Sequence, residues 1–181
     1  MQWIHACRPI RQKHSPSLMQ SLRRLFTSQD VRNWLLKGTP VEADYAGSDI
    51  LVDAQRAIRW RKRPTIQPFW ANYFCGRDSR CMCRIEGSKA LESDAIFFFR
   101  SQSNRVLAVH VEFKHKHEAF GFGQPEGYPL RAACFLKTLS ERPMLNEHHA
   151  WTTVLFCDIG TLVDPRLRHF HRVITQPKLL K

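Results

Sequence analysis

The chain has 181 residues, 43% of them hydrophobic and 12 of them Phe, which supplies a core for one domain and argues against a disordered chain. Lys and Arg number 28 against 16 Asp and Glu, a formal net charge of +12 that favours a polyanionic partner. No stretch approaches the roughly 18 consecutive apolar residues of a membrane helix. The opening MQWIHACRPIRQKH has no apolar signal segment, so the sequence predicts a cytoplasmic protein without membrane attachment.

Taken in chain order, residues 1–14 read as a basic leader, and 15–181 as a single domain. Ser15-Pro16 offers an N-cap and an N1 proline, with Leu18, Leu22, Leu25 and Phe26 at helical spacing behind it. A second helix is expected over Gln29 to Lys37, capped by Ser28, with Asp30 in its first turn and Gly38 closing it. A third is expected over 49–62, capped by Ser48 and stopped by Pro64, with Ile50, Leu51, Ala54, Ala57 and Ile58 as its apolar stripe.

The period then changes. Ile66 to Cys75, Ala90 to Arg100 and Arg105 to Lys114 read as strands, the last two joined by Ser101-Gln102-Ser103-Asn104. Leu130 to Leu139 carries a helical pattern ended by Pro143, and Trp151 to Ile159 is a final β-branched and aromatic strand. Some helical content is expected near 165–172. A hairpin followed by a crossover helix and another strand implies an α/β fold with a mixed central sheet and helical cover, plus extra N-terminal helices.

The hairpin carries the chemistry. Asp94 lies nine residues before Ser103 and Glu112 nine after it. A turn centred on Ser103 therefore sets the two carboxylates opposite each other, on one sheet face. Lys114, two residues beyond Glu112, shares that face. Opposed like charges repel, and a divalent cation removes the objection, since Mg²⁺ takes one or two carboxylates plus waters and phosphate oxygens. Lys114 would hold or help deprotonate the attacking water and offset negative charge. A surface ion-pair cluster of Glu92, Glu112, Lys114, His110 and Lys116 is the plainer alternative.

Asp94, a gap of 17 residues, then Glu112-Phe113-Lys114 resembles the D…(D/E)xK signature of the PD-(D/E)xK nuclease superfamily, with a restriction-endonuclease-like fold. The expected elements from 48 to 159 are similar to that family's αβββαβ core. Gln124-Pro-Glu-Gly-Tyr128 resembles the Gln-x-x-x-Tyr element of its RecB-like members. The resemblance implies a metal-dependent deoxyribonuclease using Mg²⁺ or Mn²⁺. It makes Asp94 and Glu112, with the carbonyl of Phe113, the metal ligands and Lys114 catalytic. Gln124 and Tyr128 would orient the lysine or contact the DNA backbone. Pro125 and Pro129 imply that this element opens a helix rather than lying within one. The family's additional acid falls on Glu42, Asp49, Asp53 or Glu92. A basic, non-catalytic nucleic-acid-binding or protein-interaction module on the same fold is the alternative function, and either class leaves room for a homodimer.

The basic residues concentrate in Arg8–His14, Arg23-Arg24, Arg56–Arg63 and Arg166–Arg172. The six cysteines (7, 75, 81, 83, 134 and 157) read as reduced, Cys134 and Cys157 as small buried hydrophobes. Cys75, Cys81 and Cys83 could offer three thiolates to Zn²⁺, with Cys7 or a histidine as fourth ligand. Their irregular spacing lacks a second knuckle and favours thiols without metal.

Overall fold

The computed structural model describes residues 22–51, 81–89, 92–115, 118–137 and 147–175, and the backbone of 70–74. The leader 1–14 and the Ser15-Pro16 cap lie outside the described residues, as do Asp53, Trp60, Cys75 and the basic run 56–63.

Helix α1 spans Gln29–Leu36 and opens as its sequence dictates, with Ser28 Oγ accepting the Val31 N–H at 3.4 Å. It closes at Lys37, followed by Gly38 at φ 75°, a left-handed position that glycine takes without strain. Arg32 on its buried side donates to the carbonyls of Ser48 at 2.8 Å and Leu25 at 2.9 Å, tying the helix to both flanking segments. The short helix α2, Glu42–Tyr45, follows.

The helix expected from residue 49 does not begin there. Asp49–Ile50 form a two-residue strand, β1, antiparallel to Arg100 and Phe99, and the Leu51 N–H continues to the Phe98 carbonyl at 2.9 Å. The Ser48 hydroxyl donates back to the Tyr45 carbonyl at 2.6 Å. Residues 52–62 of that expectation lie outside the described residues.

Strands β2 (Trp70–Phe74), β3 (Glu92–Arg100), β4 (Val106–Phe113), β5 (Ala150–Cys157) and β6 (Arg172–Thr175) complete a six-stranded mixed sheet. Its order is β1-β3-β4-β5-β6, with β2 also paired to β3. The β3–β4 hairpin is antiparallel, whereas β4–β5 and β5–β6 are parallel. The hairpin turn is closed by Ser101 N–H to Arg105 O at 2.8 Å, and Asn104 sits at φ 61°, where asparagine is tolerated.

Both faces of the sheet are covered, which explains unbroken apolar runs such as Ala95–Phe99, all at most 1% exposed. On one face Ala95, Phe97, Phe99, Leu107, Val109, Val111 and Phe113 pack against Leu22, Leu25, Val31, Leu35 and Tyr45. On the other, Ile96, Phe98, Val106 and Ala108 meet Cys83, Cys134 and Phe135, while Leu155 and Cys157 meet Phe120, Tyr128 and Phe170.

This second face is covered by the crossover helix α3, Gln124–Lys137, which starts six residues before the expected Leu130. The Gly127 N–H bonds the Gly123 carbonyl at 3.0 Å, so Gln124 and Pro125 stand in the first turn. There a proline sacrifices no helical hydrogen bond. Pro129 lies inside the helix. After β5 come two 3₁₀ turns, Ile159–Val163 and Pro165–His169, capped by Asp158 and Asp164, and then β6, which the sequence pattern did not announce. Among the described residues, no helix is long and apolar enough to cross a membrane.

Candidate active site

The hairpin register pairs Ala95 with Val111 and continues to Arg100 with Val106, symmetric about Ser103 as the spacing predicts. One step further the same register sets Asp94 opposite Glu112. The two carboxyls face each other across the strands, close enough that each perturbs the other's pKa. Lys114 follows the end of β4, its N–H bonded to the Phe156 carbonyl at 2.8 Å, so the strand's alternation extends to it.

The opening turns of α3 close over this group. Gln124 donates from Nε2 to Glu112 Oε1 at 2.6 Å and accepts the Lys114 ammonium at 2.9 Å. Its Oε1 also accepts the Gly121 N–H at 3.0 Å, which fixes the amide. One helical turn on, the Tyr128 hydroxyl donates to Glu112 Oε2. Both oxygens of Glu112 therefore have a partner from α3. Asp94 is held from its own sheet, Oδ2 accepting the Phe113 N–H at 2.9 Å. Asp94, Glu112, Phe113, Lys114, Gln124 and Tyr128, the residues that the two motifs singled out, thus meet at one end of the β3–β4 pair.

Glu112 and Lys114 are each 3% exposed, which rules out the surface ion-pair cluster. Their charged atoms stand 3.3 Å apart. Burying two charges costs several kcal/mol per ion and is repaid only by close pairing, so stability alone is a poor reason to place them here. Burial, then the charge of Asp94, pushes the Glu112 carboxyl well above the usual carboxylate range, against the pull of Lys114 and the Tyr128 hydroxyl. Burial also raises Asp94, opposed by the Phe113 N–H, by Glu112 and by Lys114. The Tyr128 phenol is pushed well above its ordinary value by burial and by the two carboxylates, so it stays a donor.

Two residues that the sequence reading passed over complete the site. Glu118 places Oε1 3.4 Å from Lys114 Nζ and Oε2 3.1 Å from the His115 N–H. Burial would raise Glu118, but the His115 N–H and Lys114 outweigh it and hold the carboxyl below its ordinary value. Arg131, 1% exposed, stacks its guanidinium 4.4 Å from the Tyr128 ring centroid and supports that ring from behind. The i, i+3 spacing from Tyr128 would have pointed to Arg131 had the helix been extended back to Gln124. Glu118 lies in a loop, where no periodicity announces it.

Ionised, Asp94, Glu112 and Glu118 set three negative charges close to the Lys114 ammonium. That set of hard oxygen donors on adjacent carboxylates suits a divalent cation. A cleft of about 290 Å³ opens beside Glu118 and Phe120, with Asp158 and Asp164 on its far wall.

The proposed third acids separate. Asp49 pairs with Arg100, six residues along β3 from Asp94, or about 20 Å at the usual strand rise. It is 89% exposed at its side chain and faces Arg32 instead. Glu42 caps the Gly38 N–H at 2.6 Å on α2, among the helices that cover the opposite face. Both are set aside by the β1 pairing and by the placement of α2. Glu92, two residues before Asp94 on β3, keeps to the site's face.

No protein-family model, curated protein or solved structure matches this chain. The functional reading therefore rests on the residues.

Proposed function

We propose that the chain is a metal-dependent nuclease that hydrolyses DNA phosphodiester bonds on a PD-(D/E)xK-type core. The observation that carries this reading is the opposition of Asp94 and Glu112, with Lys114 beside them and Gln124 and Tyr128 bonded into the same group. The succession β2, β3, β4, α3, β5 supports the βββαβ part of such a core. The opening helix expected over 49–62 lies, from residue 52 on, outside the described residues.

Asp94, Glu112 and the Phe113 carbonyl would hold Mg²⁺ or Mn²⁺, which supplies a bound water of lowered pKa and positive charge for a phosphate oxygen. The protein's own residues do the rest. Gln124 and Tyr128 fix both oxygens of Glu112, so the carboxylate needs no reorganisation as charge develops. Lys114, held by Gln124 and Glu118, offers its ammonium to the attacking water and to the phosphate. Phe120 lies under that ammonium, 5.2 Å from centroid to Nζ, and keeps bulk water from one side of it.

A non-catalytic nucleic-acid-binding module on the same fold is the second reading, favoured by how deeply Glu112 and Lys114 are buried. Incubating the chain with plasmid, linear and single-stranded DNA, with and without Mg²⁺ or Mn²⁺, separates the two. Metal-dependent strand breaks support the nuclease, and intact DNA in every reaction supports the module.

A further inference from the structure

Away from the acidic site, Cys81, Cys83 and Cys134 bring their sulfur atoms within 4.8 Å of one another. Cys83 and Cys134 are 3% and 4% exposed, while Cys81 is half-buried. Burial as a small hydrophobe accounts for Cys134 taken singly. It does not account for three thiols from two separate segments converging on one point. Tetrahedral zinc with Zn–S bonds of about 2.3 Å places thiolate sulfurs about 3.8 Å apart, which this cluster reaches by small side-chain adjustments.

The surrounding architecture gives such an ion a task. Residues 81–89 form neither helix nor strand, so no ladder of backbone hydrogen bonds fixes them. Their far end is tied to the turn that leads into α3: Ser88 Oγ donates to the Phe122 carbonyl at 2.8 Å. A Cβ on Gly123 would meet Ser88 at 3.1 Å and Ile85 at 3.2 Å, so that turn and the segment are in close packing. Their near end carries Cys81 and Cys83 to Cys134, in the last turns of the same helix.

We propose that Cys81, Cys83 and Cys134 bind one zinc ion that staples the 81–89 segment to α3. With the Ser88 contact, the segment is then fixed to both ends of the helix that presents Gln124 and Tyr128. The proposal stands apart from the acidic site and holds whether or not the chain cleaves DNA.

The test uses the full chain, purified under reducing conditions and desalted, with metal content measured by mass spectrometry. One zinc per chain is expected, with none in Cys134→Ser and full retention in Cys157→Ala. In case Cys134→Ser folds poorly, the wild-type protein, stripped of metal and reduced, is titrated with Co²⁺ alone. It should develop thiolate-to-cobalt charge-transfer absorption and tetrahedral visible bands, saturating at one equivalent. Zinc should reverse both and raise the melting temperature by several degrees. The proposal is overturned by a wild-type chain with no zinc and no charge-transfer band, by full zinc retention in Cys134→Ser, or by stoichiometric iron with a sulfide-derived visible spectrum.

Discussion

The amide nitrogen of Gln124 stands 2.6 Å from Oε1 of Glu112, a bond from the first turn of a helix to a carboxylate on the sheet beneath it. Because Gln124 also accepts from Lys114, one side chain sets the spacing between the acid and the base. Replacing it with Met keeps the volume and removes every hydrogen bond. Gln124→Met should cost about 1–3 kcal/mol of stability, since buried charged partners lose a bond each. It should lower metal affinity or cleavage by about 10–100-fold, the usual effect of losing a residue that orients a ligand. Chemical denaturation and metal titration of the same variant check both halves, and an unchanged metal affinity would count against the clamp.

Gly127 and Arg131 are one turn apart on α3, and a Cβ on Gly127 would stand 2.5 Å from Arg131 Nη1. Gly to Ala within a helix ordinarily gains up to about 1 kcal/mol. Here the guanidinium is buried and stacked on Tyr128, so moving it aside costs that contact. Overpacking should win, so Gly127→Ala destabilises by about 1–3 kcal/mol. The same substitution made in an Arg131→Ala background should turn neutral or stabilising. Denaturation midpoints of the four proteins in that cycle decide it, and equal effects in both backgrounds would contradict the packing argument.

His171 is half-buried, with Nδ1 2.9 Å from Thr152 Oγ1 and its ring stacked on Trp151, and burial holds its pKa below the ordinary histidine value. The unfolded chain protonates this group near pH 6.5, the folded chain only at lower pH. Between those values the unfolded state binds more protons. Stability contributed by neutral His171 is therefore complete above about pH 6.5 and declines as the pH falls toward the folded pKa. His171→Gln should flatten the wild-type slope in that window. Urea melts at closely spaced pH values would show it, and parallel curves would exclude the contribution.

Affinity for duplex DNA should fall steeply with salt, by about 0.9 log units per log unit of salt for each phosphate neutralised. The run Arg166–Arg172 is only partly available for this. Arg166 is engaged by both oxygens of Asp164, and Arg172 lies over the Trp34 ring at 5.6 Å. Arg168 is the exposed arginine of the three. Arg168→Ala should therefore reduce both affinity and salt slope, and Arg166→Ala neither. Fluorescence anisotropy across a salt series reads both quantities, and salt-independent binding would return the positive charge to a solvating role.

What could be read from the sequence was what local pattern decides. The hairpin register followed from the equal spacing of Asp94 and Glu112 about Ser103, and α1 followed from Ser28, Asp30 and Gly38. The opening of α3 by Gln124–Tyr128 was legible because prolines are accommodated in a first helical turn, although the apolar pattern alone placed the start at Leu130. Other features depend on contacts distant in sequence. Asp49–Ile50 became a strand because the edge of β3 was open to it. Strand β6 has four residues, too few for alternation to register, and exists because β5 offers a parallel edge. Cys134 met Cys81 and Cys83 through the crossover of α3, and no spacing within the sequence announces that meeting.

In the proposed nuclease, Asp94 and Glu112 hold a metal on which DNA cleavage depends, and Lys114 acts on the water. The most direct measurement is cleavage of plasmid DNA at fixed Mn²⁺ or Mg²⁺ by wild type, Asp94→Asn and Lys114→Ala, with each protein also melted with and without the ion. Wild type should nick or linearise the plasmid only with metal. Lys114→Ala should lose cleavage yet keep the metal-induced rise in melting temperature, because the interaction it removes acts mainly in the transition state. Asp94→Asn should lose both. A wild-type chain that shows neither metal-dependent cleavage nor a metal-dependent melting shift, while still binding DNA, would contradict the catalytic claim and leave the chain a binding module.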